Sequence, residues 1–377
     1  MTTTINNEHK KLNVPNLRFP EFEGEWLRFT INEICSEFKS GRNIKTAFIF
    51  EDGEYPVYGG NGLRGYTSTY NHDGEYVLIG RQGALCGNIR SIKGKSYITE
   101  HAIAVSATEK NNTHFLHYLF LKMNLGQYSD QSAQPGLAVN KLLKLTVVLP
   151  ELKEQMKIAR LLSLLDERIA TQNKVIEDLK KLKCAIIETV YNGKGHEYRI
   201  GDIIEQVSQR NKRFLVNTVL SVNNKLGFIN QDEQFEDRTI ASEDTSNYKV
   251  VLKDDFAYNP ARINVGSIAR LKSFDKGIVS PMYICFKVTD GIVPEYLESY
   301  FATNHFLKEM QKRLEGSVRL CLSFEGLCNI PIFVPCIDEQ TEIGKRIYQL
   351  ESKIETECNI LSLYEKQKQY LLRQMFI

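Results

Sequence analysis

The 377-residue sequence predicts a mixed α/β chain built twice: two globular domains, each followed by a long helix, with the two helices forming an antiparallel coiled coil about an internal pseudo-twofold. Three observations predict this. The segment LPELKEQMKIARLLSLLDERIATQNKVIEDLKKLKCAIIETVY from Leu149 aligns without a gap, at an offset of 185 residues, with VPCIDEQTEIGKRIYQLESKIETECNILSLYEKQKQYLLRQMF from Val334. Both copies carry the same apolar period. Before each copy lies a segment of short alternating strands with a helix, as expected of mixed domains.

The first element is a polar lead-in, residues 1–13, with no apolar core of the kind a secretion signal has; it is expected to be disordered. The first globular domain follows at 14–149, with strands expected at Tyr76–Ile79 and Ala102–Ala107 and a helix at Phe115–Leu125. The first long helix occupies 150–192. Its apolar positions step by four and three through Ile158, Leu162, Leu165, Ile169, Ile176, Leu179 and Ile186, a heptad seam interrupted by Gln172 and Lys183. Tyr191-Asn192-Gly193-Lys194-Gly195 ends the helix with turn residues, and 193–198 reads as a linker.

The second globular domain spans 199–334, with a strand expected over Val279–Val288 and a helix over Glu295–Arg313. The second long helix, 335–377, repeats the seam with Ile343, Ile347, Leu350, Ile354, Leu361 and Leu371, and repeats the polar interruptions at Glu357 and Lys368. After the opening Pro150 and Pro335, proline is absent from both helices, and glycine enters before the helix end only at Gly344, near the start of the second. Each is therefore one helix of roughly 38 residues, near 57 Å long at about 1.5 Å per residue. Two unrelated amphipathic helices on separate cores would not share an offset and their polar positions as well. The economical partner for each stripe is the other helix.

The repeat extends upstream. Ser132–Leu149 aligns at the same offset with Ser317–Val334, so each globular part closes with a strand, Leu145–Leu149 or Ile330–Val334, before its proline. Residues 30–40 and 199–209 resemble each other loosely; the remainder diverges.

Hydrophobic content of 42% and charged content of 25% are those of a globular chain, and no apolar run reaches the ~20 residues of a membrane span. A cytoplasmic protein is expected. The eight cysteines form no C-x-x-C pair and read as reduced and structural. His114 and His117 share a helix face without a third ligand nearby, so no metal site is expected. A net charge of +2 neither demands nor excludes nucleic acid, because a clustered patch matters more than the total.

At these residues the chain resembles a known family, the specificity subunits of type I restriction–modification systems. The resemblance is carried by VPNLRFPEFEGEW (Val14–Trp26), by the duplicated proline, Glu-Gln, long-helix junction, and by YPVYGGNG (Tyr55–Gly62) and IGRQGALCGNI (Ile79–Ile89). The second junction departs by having Cys336 and Ile337 where the first has Glu151 and Leu152. The resemblance implies two target-recognition domains, each reading one half of a bipartite, asymmetric double-stranded DNA site, with the helices setting the spacing between halves. Inserting a heptad into one helix would then lengthen the spacer. It implies two methyltransferase subunits docked on the helices, two restriction subunits beside them, and no membrane. It further implies that this chain binds no cofactor itself. S-adenosylmethionine would belong to the methyltransferase partner, and ATP with magnesium to the restriction partner.

Reading base edges calls for Arg, Asn and Gln, with Lys and Arg on phosphates. Within Ile79–Lys95 the chain places Arg81, Gln82, Asn88, Arg90, Lys93 and Lys95 and no acid; Tyr58, Asn61, Arg64 and Tyr66 lie in a second glycine-rich segment. Ala257–Lys272 places Asn259, Arg262, Asn264, Arg270 and Lys272, again with no acid. Ordinary solvated loops are the other reading of these segments; as groups, DNA contact is preferred.

Catalytic motifs fit poorly. Asn259-Pro260-Ala261-Arg262 lacks the second proline and the aromatic of an amino-methyltransferase motif. Gly59-Gly60-Asn61-Gly62 does not match a dinucleotide loop, and Gly94-Lys95-Ser96 has Ile89 where a phosphate loop needs glycine. Glu151-Leu152-Lys153, which could pass for half of a nuclease motif, opens a helix where an acid is expected for dipole reasons. No catalysis by this chain is expected. A coiled-coil adaptor without specific DNA reading is the alternative. It explains the helices but not two divergent domains with basic segments, and its binding would not weaken steeply with salt.

Overall fold

The structure, a computed structural model, describes residues 13–129, 136–191, 195–224, 226–231, 244–316 and 319–377. The lead-in expected at 1–13 therefore lies, but for Asn13, outside the described residues, as do Gly193 and Lys194 of the expected linker. The chain divides into two compact units, Met1–Asn173 with Asn359–Ile377, and Lys174–Cys358.

In the first unit the strands are β1 (Leu27–Thr30), β2 (Cys35–Ser40), β3 (Tyr55–Gly59), β4 (Gly62–Thr67), β5 (Glu75–Gly80), β6 (Ile89–Lys93), β7 (Tyr97–Ile98), β8 (Ala102–Ala107) and β9 (Thr146–Leu149). They form an antiparallel sheet in the order β2-β8-β5-β6, a second sheet β4-β3-β7 with β3 and β7 parallel, and the pair β1-β9. The second unit contains β10 (His196–Arg199), β11 (Ile204–Val207), β12 (Val219–Asn223), β13 (Gly227–Asn230), β14 (Lys249–Leu252), β15 (Phe256–Tyr258), β16 (Ile268–Arg270), β17 (Lys276–Val279), β18 (Ile284–Val288) and β19 (Pro331–Val334). Its sheets run β11-β18-β15-β16, β13-β12-β17-β14 and β10-β19, with β12 and β17 parallel. The two halves share one topology, strand for strand, including the parallel pair. Among the described residues, what the second adds is β14. In the first, the single bridge His72↔Ser96 stands at that place.

The structure refines three elements read from the sequence. Val279–Val288 is not one strand: β17 ends at Val279, and Ser280-Pro281 turn the chain before β18, because proline cannot donate to a ladder. Glu295–Arg313 is two helices, Pro294–Tyr300 and Asn304–Gln311; the Thr303 hydroxyl accepts from the Phe306 amide and starts a new helix. The helix at Phe115–Leu125 starts at Thr113, capped by Asn112, and stops at Met123 because Asn124 is left-handed. Part of the expected linker, from His196 onward, is β10.

The long helices run Leu152–Val190 and Ile337–Gln374. Every seam position named above is buried or half-buried. In the first unit Ile158, Ala159 and Leu162 share a core with Leu371, Met375 and Phe376, onto which Phe115, Leu116, Leu119 and Phe120 of the domain helix also pack. In the second, Ile187 and Tyr191 share a core with Ile343, Ile347, Tyr296 and Tyr300. In each unit rising numbers on one helix meet falling numbers on the other, so the segments are antiparallel. The polar interruptions pair. Lys183 meets Glu351 at 2.5 Å, and Lys368 meets Asp166 at 2.5 Å; the 185-residue offset carries one pair onto the other.

The Glu-Gln junction has a physical reason. The buried Gln155 donates to the Pro150 carbonyl (2.9 Å) and to Asn111 Oδ1 (2.9 Å), and accepts the Asn112 amide (2.9 Å). Gln340 repeats this with the Pro335 carbonyl (3.0 Å), the Gly291 carbonyl (3.1 Å) and the Val293 amide (2.9 Å). One amide side chain thus ties the helix start to the loop before the domain helix, using donors and acceptors together. Glu154 differs from its counterpart: buried, it takes a bidentate pair from Arg18 at 2.8 Å, whereas Glu339 is exposed. Gly344 is also explained, since a Cβ there would sit 2.8 Å from Glu295 Cβ.

Candidate nucleic-acid interface

In the first unit the two glycine-rich segments meet. The β3–β4 hairpin turns at Gly59–Gly62 and lies against the end of β5. A Cβ on Gly60 would be 2.7 Å from the His101 carbonyl, and one on Gly80 would be 2.9 Å from the Gly60 carbonyl. Only glycine permits this approach. The loop after β5 is closed by Gly87 N–H to the Gly80 carbonyl (2.7 Å) and Gly80 N–H to the Asn88 carbonyl (2.8 Å).

The packing gathers cations. The Arg64 stem lies on Gly59, and the Arg90 guanidinium lies over Gly62, 3.0 Å from where a Cβ would stand. Arg81 leaves the adjoining strand end, its amide donating to the His101 carbonyl at 2.9 Å. Arg64, Arg81 and Arg90 make no ion pair among the described residues, whereas Lys93 is neutralised by Glu75 at 2.8 Å, which raises its pKa. Asn61, Gln82 and Asn88 are exposed beside the arginines, and Gln82 Oε1 lies 3.2 Å from His101 Nδ1. Tyr58 packs against the cluster of Leu78 and Ile98; Tyr66 pairs through its backbone with Phe50; Lys95 sits over the Tyr70 ring at 4.8 Å. Uncompensated guanidinium groups next to exposed amides are the donor set that phosphates and base edges accept from.

The second unit sorts its candidates differently. Arg262 and Asn264 are exposed on the turn around Ile263–Val265. Arg270 is not available: 7% exposed, it pairs with Asp254, with Glu295 at 2.7 Å and with Glu298 at 3.0 Å. Asn259 is buried, and its Oδ1 accepts from the Ala261 amide at 3.1 Å, a local turn that also accounts for the Asn-Pro-Ala-Arg sequence. Lys272 is half committed, to Glu298 at 2.7 Å and Glu351 at 3.7 Å. These three side chains hold the domain together, and the expectation of DNA contact from Asn259 and Arg270 is corrected accordingly. The acids lie 16, 25 and 28 residues from Arg270 and escape a local window.

A second basic face, away from the glycine-rich segments, lies elsewhere in this unit. Arg210, Lys212, Arg213 and Lys276 surround a groove of about 470 Å³ floored by Val216 and Val250. None of the four makes an ion pair among the described residues. The available signal was Gln209-Arg210-Asn211-Lys212-Arg213, three cations in five residues with no acid. The first domain has a related segment, Gly41-Arg42-Asn43-Ile44-Lys45, at the same point after its first sheet strand.

Among the described residues no group of His, Cys, Asp and Glu is placed to hold a metal ion, and no helix is long and apolar enough to cross a membrane.

The family model of the type I restriction modification DNA specificity domain matches residues 23–181 and again 194–363. The chain is 42% identical over 186 residues to the type I restriction enzyme EcoprrI specificity subunit of Escherichia coli, a match covering 46% of this chain and 45% of that protein, less than half its length. It is 23% identical over 330 residues to the MjaVIII specificity subunit of Methanocaldococcus jannaschii, covering 78% of this chain and 74% of the relative. Its fold is similar to the crystal structure of the type I restriction–modification S subunit from M. genitalium, with a TM-score of 0.66, 17% identity, and coverage of 97% of this chain and 99% of that one.

Proposed function

The chain belongs to the family of the type I restriction modification DNA specificity domain, and on that premise we propose that it reads a bipartite, asymmetric double-stranded DNA site, one half with each globular domain. The observation that carries the proposal is one topology used twice with unlike cationic faces: Arg64, Arg81 and Arg90 over a glycine hairpin in the first, Arg210, Lys212 and Arg213 beside a groove in the second. Scaffolds that serve one purpose stay alike. Faces that read different bases diverge.

The repeated helix junctions are the surfaces we assign to two methyltransferase subunits, with two restriction subunits joining them in the cytoplasm. On this reading the chain positions other subunits and does no chemistry itself. The methyl donor and the ATP with magnesium are held by those partners. What this chain contributes is register: phosphate contacts orient, base-edge contacts select.

The test is co-expression with the cognate methyltransferase subunit and sequencing of adenine methylation across the host genome. A bipartite methylated motif that vanishes without this chain is expected. A stable complex with no motif would favour the adaptor, and methylation or cleavage by this chain alone would overturn the assignment.

A further inference from the structure

We propose that Phe214, with Leu215, is an apolar wedge that the second domain presses against a base step of its half-site, unstacking it, and that Phe48 is its counterpart in the first domain. This rests on the DNA-reading proposal above and adds how the duplex is deformed.

The loop is built to display these residues. Asn211, 3% exposed, closes it at the base: its Nδ2 donates to the Val216 carbonyl (2.8 Å), its Oδ1 accepts the Val216 amide (3.2 Å), and its amide donates to the Tyr248 carbonyl (3.0 Å). Between these ties Phe214 is held at φ +50°, a left-handed conformation that costs a residue with a side chain and persists only where the surroundings impose it. What results is two large apolar side chains in solvent, Phe214 at 53% and Leu215 at 73% exposure. They stand among Arg210, Lys212 and Arg213.

That combination selects the partner. An apolar protein surface covering Phe214 would also strip water from cations that no carboxylate compensates among the described residues, at high cost. Of the three, Arg210 alone has a side-chain hydrogen bond among those residues, to the Asn247 carbonyl at 2.5 Å. A duplex offers both requirements at once, phosphates for the cations and base faces for the apolar groups. Minor-groove and architectural proteins use apolar wedges between base steps in this way. The first domain supports the assignment independently. After its first sheet strand it repeats the Arg-Asn pair, at Arg42-Asn43, and then shows Lys45 and Phe48, the latter 57% exposed. Loops otherwise unrelated in sequence both place an exposed phenylalanine beside unpaired cations.

The experiment uses the full chain in complex with its methyltransferase subunit and duplexes of the motif found by methylation sequencing, with 2-aminopurine placed in turn at each step. With the unaltered chain, fluorescence is expected to rise on binding at one step of the second half-site. Phe214→Ala should abolish that rise and weaken binding by about tenfold, one base–aromatic stack, with the salt dependence unchanged. Arg213→Ala should instead lower the salt slope by about one and keep the fluorescence rise. Phe214→Gly, which relieves the left-handed strain, should unfold at a higher temperature yet bind like Phe214→Ala, so loss of folding cannot imitate the result. No fluorescence change at any step, or an unchanged rise in Phe214→Ala, would overturn the wedge while leaving specific binding intact. Failure of the unaltered complex to bind its motif would instead remove the DNA-reading proposal, and the wedge with it.

Discussion

At the two helix junctions the chain does one thing twice; at the rims of its two globular domains it does two different things on one plan. Gln155 and Gln340 make the same bonds to a preceding proline carbonyl and to the loop before a helix. Lys183–Glu351 and Lys368–Asp166 are one ion pair repeated. The rims share strand order but not side chains: a glycine hairpin draws arginines together in the first domain, while a pinned loop and an added strand, β14, frame a basic groove in the second. Internal packing is thus repeated between the halves at the helix junctions, while the rims differ on a common strand order; under the proposed function the junctions meet one kind of partner and the rims meet unlike half-sites.

The comparison breaks most readily at the seam. Leu162 and Ile347, both buried in the helix cores, are each expected to cost about 2–5 kcal/mol on substitution by alanine, read by chemical denaturation. A cost under about 1 kcal/mol for either would mean the seam does not organise its unit.

The next effect separates two arginines chosen by the same sequence argument. Arg270→Ala removes the shared partner of three carboxylates and should destabilise by roughly 3 kcal/mol. Arg90→Ala should leave stability within about 0.5 kcal/mol but weaken binding to the first half-site by about 1–3 kcal/mol. Equal effects on folding would erase the distinction between scaffold and rim.

A smaller effect sharpens the junction comparison. Gln155→Ala and Gln340→Ala each strand buried backbone groups and should cost about 1–3 kcal/mol, alike within error. Unequal costs would show that the two junctions are alike in sequence only.

The smallest effect is a pH dependence. Burial works against the Glu351 carboxylate, yet the hydrogen bond and charge of Lys183, with Lys272 and Arg270 nearby, hold its pKa below the ordinary glutamate value. A depressed carboxylate stabilises above its unfolded-state pKa, and that contribution disappears as pH falls through the lower folded value. Acid unfolding of Lys183→Ala should therefore show a shallower loss across that window. An identical profile would remove the pair from the account.

The sequence made the helices legible because a heptad states its period openly and an ungapped offset repeats it. The common topology of the globular parts was not legible. Short strands reveal alternation but not partners, and only backbone pairing discloses that β3–β7 and β12–β17 are the same parallel contact. The close packing of Arg64 and Arg90 onto Gly59 and Gly62 was legible, because glycine-rich spacing announces close approach. Arg270 was misread, because its acids are remote in sequence, and the exposure of Phe214 was not legible, because the loop that displays it is closed by the two-sided bonding of Asn211.

The division of labour is tested most directly by replacing residues 199–334 with the corresponding domain of another family member and sequencing methylated adenines in cells that carry the methyltransferase subunit. The account predicts a motif in which one half changes to that of the donor and the other half is retained. A motif unchanged by the exchange, or altered in both halves, would contradict it.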